Sequence, residues 1–265
     1  MNSGTLLQGI RDGNYHKSGI RCLRLFSVEE IFLNQLQADV ERLCRTECGS
    51  KARDADHITN WTRPSGEVVQ FSLLNASGRY DDFRSDHDLS CFGKRFHGGS
   101  TYRALAQLTD LFPHTVNFRL NLMGPRAGLS PHEEHTVIRT HAGSVALRTR
   151  FHLPVFTNPD AEMMLDGEVY RLEVGTVYFV NHGCVHSAHN GGSENRIHLV
   201  WDMLLTREAF ELMFEEIVPA YPLRRLNESE WDAVPVRRER VGDYERIAPL
   251  VDEDQATRID WCEVQ

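Results

Sequence analysis

The chain has 265 residues, 41% apolar and 25% charged, enough to fold around a sizeable core, and this composition excludes a fibrous or wholly disordered polymer. Lys and Arg number 29 against 38 Asp and Glu, so the net charge of -9 has the wrong sign for a protein that tracks phosphate backbones, and no nucleic-acid partner is expected. No stretch approaches the roughly 18 apolar residues of a membrane span, and the opening MNSGTLLQGIRDGNYHK lacks a secretory-signal pattern; together these predict a cytoplasmic chain with no membrane partner.

In chain order, residues 18–26 (SGIRCLRLF) read as a strand. Ser27 with Glu30 reads as a capping box that opens a helix striped by Phe32, Leu36, Val40 and Leu43. Residues 49–66 read as loop, GEVVQFSLLN as a β-rich run, 78–99 as loop again, and 101–112 as a helix stopped by Pro113. From Val116 to Leu205, short apolar runs alternate with Gly, Pro, Asn and Asp. Strands are expected near 116–123, 128–134, 145–156, 162–164, 168–173, 176–181, 185–189 and 196–205. Eight short antiparallel strands predict a mainly β protein with flanking helices on a double-stranded β-helix, the jelly-roll or cupin-like core.

Thr206 reads as the cap of a helix with an apolar face of Phe210, Met213, Phe214 and Ile217, ended by Pro219. The expected organisation is a jelly-roll unit over 1–205, with its core at 116–205, followed by an acidic, partly helical appendage over 206–265, where 8 Arg face 15 acidic residues. Six dispersed cysteines, Cys22, Cys44, Cys48, Cys91, Cys184 and Cys262, predict reduced thiols and no disulfides. Cys44 and Cys48 in CRTEC have no second such pair, which favours packing over a zinc site.

Nine of the 13 histidines fall between His114 and His198, in or just before the β region, an invitation to metal chemistry. Residues two apart on a strand share a face, so His132 and Glu134 of HEE can chelate one ion, and a second strand must supply the third ligand. His186 in CVHSAHN is the choice. Two imidazoles and a carboxylate on one face of an octahedral ion leave three positions open, as in non-haem Fe(II) oxygenases. By itself H-x-[DE] says little, because this composition yields about two matches by chance.

Ordered blocks over 116–205 say more. FRLNLMGPRAGLSPHEEH ends a Pro- and Gly-containing turn on Pro131, His132 and Glu134. An R-x-H-x-P strand follows at Arg150, His152 and Pro154, then T-N-P at Thr157, Asn158 and Pro159. H-x-x-x-N at His186 and Asn190 precedes R-x-H-L-V-x-D at Arg196, His198, Leu199, Val200 and Asp202. This series resembles the aspartyl/asparaginyl β-hydroxylase-like oxygenases, in the bacterial branch that includes proline cis-4-hydroxylase. The resemblance implies that His132, Glu134 and His186 hold Fe(II), that Arg196 anchors the distal carboxylate of the co-substrate 2-oxoglutarate, and that Arg150 and His152 contact its metal-bound end. A planar arginine fork suits a dicarboxylate. It also implies oxidative decarboxylation of 2-oxoglutarate by O2, coupled to hydroxylation of a free or tethered amino acid or similar small molecule.

The ligand carboxylate is Glu where many relatives carry Asp. Spacing leaves a second register open, with His141 in THAGS as first ligand and Gly143 at the carboxylate position; it resembles relatives that lack the carboxylate, and water or a halide could then fill the vacancy, as in a halogenase-like variant. Two rivals stand outside this chemistry. Gly167-x7-Gly175 with His186-x3-Asn190 loosely resembles a cupin motif and suggests a metalloenzyme that does not use 2-oxoglutarate, although the first motif's H-x-H is absent. The other is a non-catalytic ligand-binding jelly roll. Arg148 and Arg150 share a sheet face, His135, His182 and His189 read as supporting or surface residues, and His198 as a core histidine. Trp61, Arg63 and the 78–99 loop are candidates for the substrate border.

Overall fold

In the segment RIHLVWDML, alternate residues divide cleanly: Ile197, Leu199, Trp201 and Met203 join the main apolar core, while Arg196, His198, Val200 and Asp202 take the opposite face. Neighbouring strands repeat the division, with Phe151, Leu153 and Val155 against Arg150 and His152, and Phe118 and Leu120 against Asn117, Arg119 and Asn121. One face of the sheet is therefore oil and the other is polar and buried. That second face lines the candidate site.

The computed structural model describes residues 2–17, 19–51, 63–89, 93–215 and 221–258. In chain order the elements are α1 (Ser3–Asn14), β1 (Cys22–Val28), α2 (Glu30–Thr46), β2 (Ser50–Lys51), β3 (Val68–Ser72), α3 (Phe83–Asp86), α4 (Arg103–Thr109) and β4 (Thr115–Met123). Then come β5 (Gly128–His132), β6 (Val137–Arg139), β7 (Val145–Phe156), β8 (Ala161–Leu165), β9 (Glu168–Tyr170), β10 (Thr176–Val180), β11 (His186–Asn190) and β12 (Arg196–Leu204). The last are α5 (Arg207–Phe214), β13 (Leu223–Arg225), β14 (Arg237–Arg238) and α6 (Glu253–Ala256).

A nine-stranded sheet runs β13-β1-β10-β7-β12-β4-β3-β2 with β6 paired to β7, and a five-stranded sheet runs β14-β9-β8-β11-β5. Every named pairing is antiparallel. The jelly-roll expectation holds. Apolar faces of α1, α2, α4 and α5 cover the outer side of the large sheet, where fully buried Trp201 stacks on Phe112 and Phe118 with ring centroids 4.5 and 5.1 Å away.

Local corrections are few. Ser27 does not cap α2, because it lies in β1, opposite Thr176 and Arg224; Glu29 precedes the helix without a side-chain cap. The stripe Phe32, Leu36, Val40 and Leu43 is buried as expected. Strand β5 stops at His132, short of 134. Helix α4 ends at Thr109, before Pro113. Helix α1 and strand β6 were not expected. Thr206 does cap α5, its hydroxyl accepting from Ala209 N at 3.1 Å, with Phe210, Met213 and Phe214 buried; Ile217 and Pro219 lie outside the described residues.

After Leu205 the chain returns to both sheets, since β13 pairs with β1 and β14 with β9, and Trp231, Val251 and Ala256 are buried in the main core. Helix in the described part of this region is confined to α5, a 3-10 turn at Glu228–Glu230 and α6. Cys22, Cys44, Cys48 and Cys184 are free thiols, while Cys91 and Cys262 lie outside the described residues. Among the described residues no helix is long and apolar enough to cross a membrane.

Candidate metal centre

Strands β5 and β11 pair so that His132 stands directly opposite His186, with ring centroids 4.2 Å apart. Each ring is fixed in the same way. His132 Nδ1 lies 2.7 Å from Ser130 O, and His186 Nδ1 lies 2.9 Å from Cys184 O. A carbonyl only accepts, so each Nδ1 carries the proton and each Nε2 presents a lone pair. Burial lowers the pKa of both rings, His186 to about 3, and keeps them neutral as ligands must be.

Glu134 lies two residues past the end of β5, and its backbone N–H donates to His182 O at 3.1 Å. Its carboxylate Oε1 is 3.8 Å from His186 Nε2. One ligand atom from each of His132, Glu134 and His186 falls within 4.8 Å of the others, the one such group of metal-ligating side chains among the described residues. About 31% of the Glu134 side chain is exposed, but it lines the cavity rather than the outer surface. Burial would raise its pKa; the charge and hydrogen bonds of Arg150 outweigh that and hold it well below the usual carboxylate range.

Arg150 grips Glu134 through both terminal nitrogens, Nη2 donating to Oε2 at 2.7 Å, and turns its Nε to Asp202 Oδ1 at 2.7 Å. Asp202 faces it across the β12–β7 register. Arg148 adds a bond of 3.3 Å to Glu134 Oε2 and lies 3.7 Å from Asp202. Two arginines and two carboxylates thus compensate one another beside the cavity, and the Arg150 guanidinium is occupied by Glu134 and Asp202.

The cavity holds about 280 Å³. Besides these groups its walls include His152, Arg196 and Val200 from the large sheet and Leu129, Met163 and Ala188 from the small one. Arg196 is 5% exposed, and burial alone lowers its pKa, to about 10; no carboxylate pairs with it among the described residues. His152 is likewise buried, with neither ring nitrogen hydrogen-bonded, and burial followed by the Arg196 charge keeps it neutral.

All six expected site residues, His132, Glu134, His186, Arg150, His152 and Arg196, therefore line one cavity. His141 does not. It is exposed in the turn after β6 and bonds Asp88 at 2.7 Å, which corrects the register that made it a ligand. Of the two readings of His182, supporting or surface, its burial excludes the surface one. Of the expected border residues, Trp61 is outside the described residues and Arg63 does not line the cavity, whereas His87 of the 78–99 stretch does. Arg119 and its partner Asp86 went unnoticed in the sequence, although polar residues at 117, 119 and 121 in an apolar strand were a period-2 signal.

A jelly roll carrying two histidines and a carboxylate at one open cavity is the architecture of a metal-dependent oxygenase. Residues 79–205 match the family model of Aspartyl/Asparaginyl beta-hydroxylase. The matched family is one of hydroxylases. Its fold is similar to that of the non-heme alpha-ketoglutarate-dependent epimerase SnoN of nogalamycin biosynthesis (13% identity, 91% of this chain and 98% of that one, TM-score 0.46). It is also similar to AviO1 of Streptomyces viridochromogenes (13%, 77% and 95%, TM-score 0.40) and to an oxidoreductase of the 2OG-Fe(II) oxygenase family from Burkholderia pseudomallei (12%, 62% and 76%, TM-score 0.36). No curated protein sequence matches the chain.

Proposed function

We propose that this protein is an Fe(II)- and 2-oxoglutarate-dependent oxygenase that hydroxylates an unactivated carbon of a free or tethered amino acid, or of a similar small molecule. The observation that carries this reading is the convergence of His132, Glu134 and His186 within 4.8 Å at a cavity that also contains the uncompensated Arg196. The donor set suits iron, because two neutral imidazoles with free Nε2 atoms and one ionised carboxylate make a facial triad. Bound iron supplies the redox chemistry by which 2-oxoglutarate, O2 and a substrate C–H become succinate, CO2 and an alcohol.

The protein's own groups do the positioning. Arg150 holds Glu134 ionised and turned toward the histidines. Arg196 offers a bidentate fork to the far carboxylate of the co-substrate in a site from which water is largely excluded. His152, neutral and unpaired, is available to the co-substrate's nearer end. Apolar Leu129, Met163 and Ala188 restrict water around the reacting carbon.

Succinate release is the direct test. Protein supplied with Fe(II), ascorbate and 2-oxoglutarate should form succinate, faster with a substrate from an amino-acid and amino-acid-derivative panel, with a product one oxygen heavier. Glu134→Ala should abolish succinate and lose tight metal binding. Succinate formation unchanged in that variant, or metal retained with no response to 2-oxoglutarate, would sink the reading.

A further inference from the structure

Four arginines line the cavity, and three already have their charge compensated. Arg148 and Arg150 face Glu134 and Asp202. Arg119 donates from Nε to Asp86 Oδ1 at 2.8 Å and from Nη2 to the same oxygen. Asp86 is fully buried at the end of α3 and also accepts from the Ser72 hydroxyl at 2.9 Å. The fourth cation, Arg196, is taken by the co-substrate in the function proposed above, on which this inference rests. A substrate bearing a free carboxylate would then shed its hydration without gaining a cation of its own, a net cost.

The wall offers neutral polarity instead. Alternation on β4 turns Asn117, Arg119 and Asn121 to the cavity, across from Asp202, Val200 and His198 of β12. Asn121 Oδ1 is buried with no hydrogen-bond donor. The Asp86 pair uses Nε and Nη2 of Arg119 but not its Nη1. A donor and an unmet acceptor two residues apart on one strand face complement the C=O and N–H of an amide. We propose that the substrate presents an uncharged amide, rather than a free carboxylate, to this face of β4, and that Asp86 sets the preference by neutralising Arg119.

Calorimetric titration of the protein loaded with Mn(II) and 2-oxoglutarate, using N-acetylglycinamide and N-acetylglycine as probes, tests the pairing. The native protein should bind the amide at least tenfold more tightly than the acid. Asp86→Asn should gain at least tenfold for the acid, because Arg119 is then uncompensated, with affinity for 2-oxoglutarate within twofold of native. Any other order in the native protein, or no gain for the acid in Asp86→Asn, overturns the proposal. If that variant fails to fold, Asp86→Asn combined with Arg119→Gln removes both charges together; it should keep the native amide-to-acid ratio within threefold, and a tenfold fall in acid binding would make Arg119 a carboxylate anchor and overturn it. Failure of 2-oxoglutarate to bind would count against the oxygenase reading, while the native and variant proteins remain comparable with Mn(II) alone.

Discussion

His198 is 2% exposed, neither of its nitrogens has a hydrogen-bond partner, and its cross-strand neighbours are Asn121 and Pro154. Burial, then the charge of Arg196, push its pKa well below the ordinary 6.5. A histidine with a depressed folded pKa contributes stability that is fully present above about 6.5, where the unfolded chain is neutral too, and is lost as pH falls from there toward the folded value. Per pH unit in that window one such group costs about 1.4 kcal/mol. His198→Phe removes the titration while keeping a ring, so urea unfolding between pH 6.5 and 4.5 should show native stability falling more steeply than the variant's by about that slope. Equal slopes would mean that His198 is charged, or solvated, in the folded protein. The lowered pKa of buried Asp202, where the Arg150 and Arg148 charges outweigh burial, adds to acid lability only below the ordinary carboxylate range.

Among the elements, α5 shows how one residue begins a helix. Thr206 satisfies the free N–H of Ala209, so Thr206→Ala should cost about 1 kcal/mol, and Thr206→Ser much less. The urea midpoint should fall without a change of slope, since the exposed surface on unfolding stays the same. That cap was legible because nothing competes for Thr206. Ser27 carries an equally good sequence signal at Glu30, yet β1 consumes it: pairing with β10 and β13 buries more backbone than one capping bond repays. The long strands β7 and β12 were legible from apolar runs bounded by turn residues, whereas α1 was not, because Gly4, Gly9 and Gly13 dilute the Leu6, Leu7 and Ile10 face that tertiary packing later buries. Motif order brought out His132, Glu134, His186 and Arg196. The Arg150 clamp on Glu134 and the Asp86–Arg119 pair each join a strand residue to one outside any strand, just past β5 and at the end of α3, which spacing alone does not give.

At the scale of the whole molecule, the two sheets divide the work. His132 and His186 stand on β5 and β11 of the small sheet, while Arg196 stands on β12 of the large one, so a 2-oxoglutarate held at both ends would tie one sheet to the other through the cavity. Order of binding follows from this geometry. The metal alone should stabilise the fold, by about 2.7 kcal/mol at a concentration one hundred times its Kd. For a domain of this size that is a rise in Tm of about 5–10 °C. Without metal, 2-oxoglutarate meets Arg196 at one end only and should add little. With metal present it should add a second increment, and Arg196→Gln should remove that second increment while leaving the first intact, because Arg196 touches no metal ligand and carries no structural ion pair among the described residues. Differential scanning fluorimetry in four conditions, with Mn(II) as a redox-silent metal, separates these steps. A full 2-oxoglutarate shift without metal, or one that survives in Arg196→Gln, would place the dicarboxylate elsewhere in the molecule.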